Sequence, residues 1–125
     1  MGTEAEVRGQ AVVLALFAAA CADKSGGPRE IAGADPARGF AVAQRVGCAA
    51  CHQTPGIDWP SGAAGPSLEG FGGSPLIAGR FPNQPDRLAQ WVRNAPSMAP
   101  ETGMPAMPIS EAEARDVAAW LYTLE

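Results

Sequence analysis

Cys48-Ala49-Ala50-Cys51-His52 holds two of the three cysteines and the only histidine of the 125 residues. Two thiols three positions apart lie on one side of a helical turn, and the imidazole follows directly beside them. Such a set suits a flat macrocycle with two unsaturated arms, each thiol adding to one arm while the imidazole reaches a metal at the centre. C-x-x-C-H is the attachment pattern of a c-type haem: Cys48 and Cys51 bind its vinyl groups and His52 binds its iron. One motif means one haem. Two other uses of these residues are weaker. A redox disulfide wants a preceding strand of a βαβ unit, and no β-branched run precedes Cys48. A structural zinc ion needs four ligands, and only Cys48, Cys51 and His52 are close, with Cys21 far upstream.

The rest of the chain has to fold around that pentapeptide. Its length and composition favour one small domain. Fifteen glycines and twelve prolines bring it near the range of disordered chains, yet three Trp, four Phe and four Met are scattered among them. A covalently held apolar group resolves the conflict by serving as a ready-made core for the loops. The net charge is −4 and Lys24 is the only lysine. No basic patch forms, which excludes nucleic acid as a partner.

Upstream lies a segment of another kind. The apolar run 11–20 (AVVLALFAAA) is too short to span a bilayer but fits the core of a secretory signal. Cys21 closes it after small residues, in the manner of a bacterial lipoprotein cleavage box, where the cysteine becomes the lipidated first residue. The alternatives are an ordinary signal peptide with an incidental cysteine, or a start codon placed too far upstream. Either signal reading exports the chain to the periplasm or the outer face of the cytoplasmic membrane. Residues 22–34 are small, polar and broken by Gly and Pro, so the expected organisation is a signal at 1–20, a flexible tether at 21–34 and a folded domain at 35–125.

Within that domain three helices are expected. Asp35 can cap the first and Pro36 suits its opening turn; it runs to about Gly47 with Phe40, Ala43 and Val46 as its apolar stripe. The second covers about 85–94, with Leu88, Trp91 and Val92 on one face. The third opens on the capping box Ser110-Glu111-Ala112-Glu113 and places Val117, Trp120, Leu121 and Leu124 on one side. No segment shows strand alternation, so the expected class is all-α, with long loops at 53–83 and 95–109.

Several further pieces then fall into order after the C-x-x-C-H: Gly65-Pro66-Ser67-Leu68, Leu88-x-x-Trp91-Val92, Pro100-Glu101-Thr102-Gly103-Met104-Pro105 and Ala119-Trp120-Leu121. From Asp35 to Glu125 the chain resembles a class I cytochrome c, the small monohaem fold whose terminal helices cross. The resemblance implies that Met104 is the sixth iron ligand and that the Pro66 carbonyl accepts a hydrogen bond from the His52 imidazole. It also implies that Trp91 and Thr102 line the haem crevice, Thr102 within reach of a propionate, and that Gly39 and Trp120 meet where the helices cross. Apart from the family, a thioether is the strong-field donor left once the histidine is used, and Met98, Met104 and Met107 are the candidates. Arg80 can serve a propionate or stand solvated in its loop.

A His–Met haem has both axial positions filled and passes single electrons. The expectation is therefore a carrier tethered by lipid on Cys21, working between a redox donor and an acceptor, with a terminal respiratory oxidase as the first choice of acceptor. Two alternatives stand beside it: the electron-accepting subunit of a periplasmic dehydrogenase, and a ligand-binding or peroxidatic haem protein.

Overall fold

The computed structural model describes residues 29–125. The expected signal, Cys21 and most of the tether lie outside them. The first helix, α1, spans Pro36–Val46. The Asp35 carboxylate accepts the N–H groups of Ala37 (2.8 Å) and Arg38 (3.2 Å), and Pro36 occupies a first-turn position whose missing N–H costs nothing. Gly47 ends it in the left-handed region (φ 80°), which turns the chain at once into a 3-10 turn, Cys48–Ala50. α2 spans Pro85–Met98, but Asn94 (φ −153°, ψ 70°) interrupts it. Pro96 explains the break: it has no N–H and its ring would strike the carbonyl four residues back. The expected end near Asn94 therefore marks the break, and one more turn follows. α3 spans Glu111–Leu121 and starts on the expected capping box, with Glu113 N–H on Ser110 Oγ (3.1 Å) and Ser110 N–H on Glu113 Oε2 (2.9 Å).

A two-stranded antiparallel hairpin joins these helices: β1 (Leu76–Ile77) pairs with β2 (Phe81–Pro82), Ile77 opposite Phe81. No strand was expected, and two-residue strands are too short for alternation to register. Asn83, a buried residue with no motif to mark it, holds this hairpin in place. Its amide donates to the Ser74 carbonyl (2.9 Å) and its Oδ1 accepts the Tyr122 hydroxyl (3.1 Å), which ties the hairpin to the end of α3.

The core lies where α1 crosses α3 and α2 packs beside them, and includes Val42, Ala43, Leu88, Trp91, Val117, Leu121 and Leu124. Gly39 sits at the crossing. A Cβ there would fall 2.0 Å from the Asp116 carbonyl oxygen, so only glycine lets the two backbones touch. Gly39 rests on the backbone of Asp116 and Val117, and beside it Phe40 meets Trp120, ring centroids 5.7 Å apart. The tether boundary is corrected. Ile31 is buried in the core, and the Arg29 guanidinium lies 5.2 Å over the Tyr122 ring while donating to the Asn83 carbonyl. The folded part thus begins by Arg29, because Ile31, with Ala34 packed beside the core, docks an otherwise polar stretch.

Candidate haem-binding site

α1 delivers the chain into Cys48, and the 3-10 turn then holds His52 in place through its N–H on the Cys48 carbonyl (3.1 Å). The following loop folds back over this turn. Gly62 N–H binds the Ala49 carbonyl (2.9 Å), Gly65 N–H the Cys51 carbonyl (2.7 Å) and Leu68 N–H the Gln53 carbonyl (2.9 Å). Two glycines make the approach possible. A Cβ on Gly62 would lie 2.1 Å from the Ala50 carbonyl oxygen, and one on Gly65 would lie 2.4 Å from His52 Cε1. The imidazole is thus cradled by Gly65, and its Nδ1 lies 2.6 Å from the Pro66 carbonyl oxygen. A carbonyl can only accept, so Nδ1 carries the proton and Nε2 keeps its lone pair for a metal. Gly62 carried no sequence signal, one glycine among many in a loop rich in them.

Cys48 and Cys51 form no disulfide, and the first is half-buried, the second exposed. Burial pushes the Cys48 thiol up from its ordinary pKa, with the Cys51 charge adding to the rise. Among the described residues no group of three or more His, Cys, Asp or Glu side chains gathers into a metal-ion site. The residues do fit a haem: two unpaired thiols on one turn, an oriented imidazole, and Leu68, Phe71, Phe81 and Met104 packed on the core but only partly covered. Such half-covered apolar side chains are what a flat apolar group would finish burying.

Trp91 is buried on α2 with its ring 5.9 Å from Phe81. Thr102 Oγ1 accepts the Met104 N–H (3.2 Å), which shapes the loop at Met104 and leaves the hydroxyl hydrogen free to donate elsewhere. Met104 is partly buried against the core. Met107 goes another way. Its N–H binds the Arg93 carbonyl (2.9 Å), and the residue borders a groove shared with Asp86, Gln90 and Arg93 of α2, and not with Leu88 or Trp91. Met98 packs partly against the core, as a gap-filling methionine does. Arg80 is exposed in its loop, where it is paired with the Glu101 carboxylate and lies 5.7 Å over the Phe81 ring. The pairing holds Glu101 below the usual carboxylate range.

Residues 34–121 match the family model described as cytochrome c oxidase, cbb3-type, subunit III. The chain is 33% identical over 89 residues to cytochrome c oxidase subunit 2 of Alkalihalophilus pseudofirmus, a match covering 70% of this chain and 25% of that protein. This chain thus spans about a quarter of that relative's length. Among solved structures, SoxXA from P. pantotrophus is similar in fold, with a TM-score of 0.55 at 23% identity over 79% of this chain and 88% of that one.

Proposed function

The chain belongs to the cytochrome c family that its residues 34–121 match, and from that premise we propose that it is a periplasmic electron carrier whose acceptor is a terminal respiratory oxidase. It is a class I c-type cytochrome with covalent haem c, and its chemistry is haem-based electron transfer. The haem, when bound, supplies an iron that gains and loses single electrons. The protein's own groups do the rest. Cys48 and Cys51 would hold the group covalently, and His52 Nε2 would bind its iron. The Pro66 carbonyl and the Gly65 backbone keep the ring from turning, and the Nδ1–H donation makes Nε2 a stronger donor. The observation that carries this reading is that cradle.

We assign Met104 as the second side chain that would bind the iron, with Trp91 and Thr102 as residues that would line the crevice. Support comes from the loop: Thr102 fixes the backbone at Met104, while Met107 borders the groove that Leu88 and Trp91 do not line. A closed sixth position makes a carrier rather than a ligand binder. The oxidase as acceptor is supported by the family description and by the relative's name. Export is supported by the apolar run 11–20 and by Cys21, the site of the proposed lipid anchor; no helix among the described residues is long and apolar enough to cross a membrane.

The test is ligand exchange on the reduced holo-protein. Wild type should bind no carbon monoxide. Met104→Ala should bind it stoichiometrically, lose the weak near-infrared absorption of a thioether–iron bond and fall in potential, while Met107→Ala should keep the wild-type spectrum. Carbon monoxide binding to the wild type at full occupancy would replace the carrier by a ligand-binding protein. Loss of the near-infrared band in Met107→Ala alone would move the ligand by three residues. Mass analysis of the native N-terminus checks the anchor, which requires a lipid-bearing Cys21 as first residue.

A further inference from the structure

Between Ala99 and Ala106 the chain that carries Met104 leaves α2 and returns to it. Ala99 is buried and its N–H binds the Ala95 carbonyl (2.9 Å), while at the far end Ala106 bridges to Asn94 and the Met107 N–H binds the Arg93 carbonyl. Both ends are thus fixed on the last turns of α2. The span between them holds itself by two short-range bonds, Thr102 N–H on the Ala99 carbonyl (3.0 Å) and Met104 N–H on Thr102 Oγ1 (3.2 Å). Among the described residues, a single polar contact ties this span to another part of the molecule: the Glu101 carboxylate on the Arg80 guanidinium. The Arg80 side of that contact is held firmly. Arg80 ends the tight turn from Ile77, closed by its own N–H on the Ile77 carbonyl (3.0 Å), with Ala78 (φ 51°) and Gly79 (φ 68°) both left-handed as in a type I′ hairpin. An alanine keeps such a backbone only where its surroundings impose it. Here Ile77 is buried, and the Asn83 N–H on the Pro75 carbonyl (3.0 Å) closes the base of the hairpin. The guanidinium lies over the ring of Phe81, which in turn meets Trp91.

An ion pair whose side chains are 55% and 63% exposed adds little to global stability, because water screens it and two long side chains have to be ordered. Its use is positional. It joins a fixed hairpin to a span that has no other polar tie beyond its own ends. We propose that Arg80 and Glu101 form a strap that holds the loop of Met104 in place and thereby resists exchange of the Met104 thioether for an outside ligand, a proposal that rests on the assignment of Met104 made above. Both are positioning residues and act through Met104. Loss of either partner releases the same loop, so both losses change ligand exchange in the same direction. Charges acting singly would instead have opposite effects, since one partner is a cation and the other an anion.

The experiment titrates the full-length oxidised holo-protein with imidazole, which competes with Met104 and is followed by loss of the near-infrared band. Arg80→Gln and Glu101→Gln should each raise the apparent imidazole affinity about threefold to fivefold, the upper range that an exposed ion pair supports. The double variant should bind imidazole no more tightly than either single one, because the second substitution removes a group that already lacks its partner. Salt at about 1 M should bring wild type toward the variants. Denaturant midpoints should stay near wild type throughout. Affinities unchanged in both single variants would overturn the strap while leaving Met104 and the carrier reading in place. A rise in Arg80→Gln alone, opposite changes in the two variants, or additive effects in the double variant would overturn it in favour of charges acting independently. A fall in midpoint that accounts for the gain in affinity would make the pair a general stabiliser instead. A Met104→Ala protein that binds imidazole no more tightly than wild type would overturn the assignment of Met104, and the strap with it.

Discussion

Where α1 crosses α3, glycine brings two backbones into contact, Phe40 meets Trp120, and Val42, Val117 and Leu121 are buried behind them. From residue 47 to residue 75 only Ala49 and Thr54 are buried, and from 101 to 110 nothing is. Both regions hold apolar side chains. In the crossing these cover one another; in the loops Leu68, Phe71 and Met104 pack on the core and stay partly exposed. The difference is one of what completes the packing: helices complete each other, and the loops are completed by the haem. Hydrogen bonds to the backbone of the C-x-x-C-H turn give the first loop its path, but such bonds contribute little net stability without burial behind them.

The largest expected effect follows from removing that completion. Cys48→Ala with Cys51→Ala should abolish covalent haem and leave the domain largely unfolded, because α1 runs straight into the attachment turn and the helices alone bury a small core. Far-ultraviolet circular dichroism and haem staining after denaturing electrophoresis read both consequences. A cooperative, fully helical apo-protein would break the comparison, since the crossing would then stand without the loops.

The two regions also differ in how well the sequence announced them. Caps at Asp35 and Ser110 and the stripe Val117, Trp120, Leu121, Leu124 mark α1 and α3 because helix ends and faces depend on neighbours within a few positions. The haem attachment motif was legible because its three groups fall within five positions. Asn83 and Gly62 were not, since each matters only through a contact made by folding: Asn83 with Tyr122, Gly62 with Ala50. Ile31 hid in a polar stretch for the same reason. Arg80 was read by charge, and its partner Glu101 is 21 positions away.

A sharper version of the comparison sets two glycines against each other. Gly39→Ala should place a methyl group against the Asp116 carbonyl, force α1 and α3 apart and lower unfolding free energy by about 3 kcal/mol. The thermal midpoint of the holo-protein should fall by more than about 10 °C with its haem spectrum unchanged. Gly65→Ala meets a side chain instead, the His52 imidazole. It should turn that ring, and the haem spectrum and potential should change more than the midpoint does. If both variants moved the same observable, crossing and crevice would be one cooperative structure rather than two kinds of packing.

The smallest effect concerns the rim of the crossing, where Asp116 has a 9% exposed side chain. It is enclosed by its immediate neighbours yet close to the molecular surface. Its carboxylate accepts Arg38 Nε (2.8 Å) and Nη2 (3.0 Å) and the Asp35 N–H (2.7 Å), so it joins the cap of α1 to the middle of α3. The Arg38 guanidinium, first, and then the Asp35 N–H hold its pKa below the usual carboxylate value, against the opposing effect of enclosure. A carboxylate held low in the folded state binds its proton more tightly when unfolded. The stability it contributes is complete above the unfolded value of about 4 and is lost as pH falls through the folded one. Asp116→Asn should therefore cost about 1 kcal/mol at neutral pH, a modest figure because Arg38 is largely exposed and water screens the pair. Wild type and variant should then converge as the solution is acidified below about pH 4. Some acid dependence should survive in the variant, since Glu113, held low by the Ser110 N–H and then by Arg45, keeps its own contribution. Denaturant midpoints at neutral and acidic pH measure the convergence. Parallel curves would mean that the Asp116 charge does not join α1 to α3, and that packing at Gly39 alone sets the crossing.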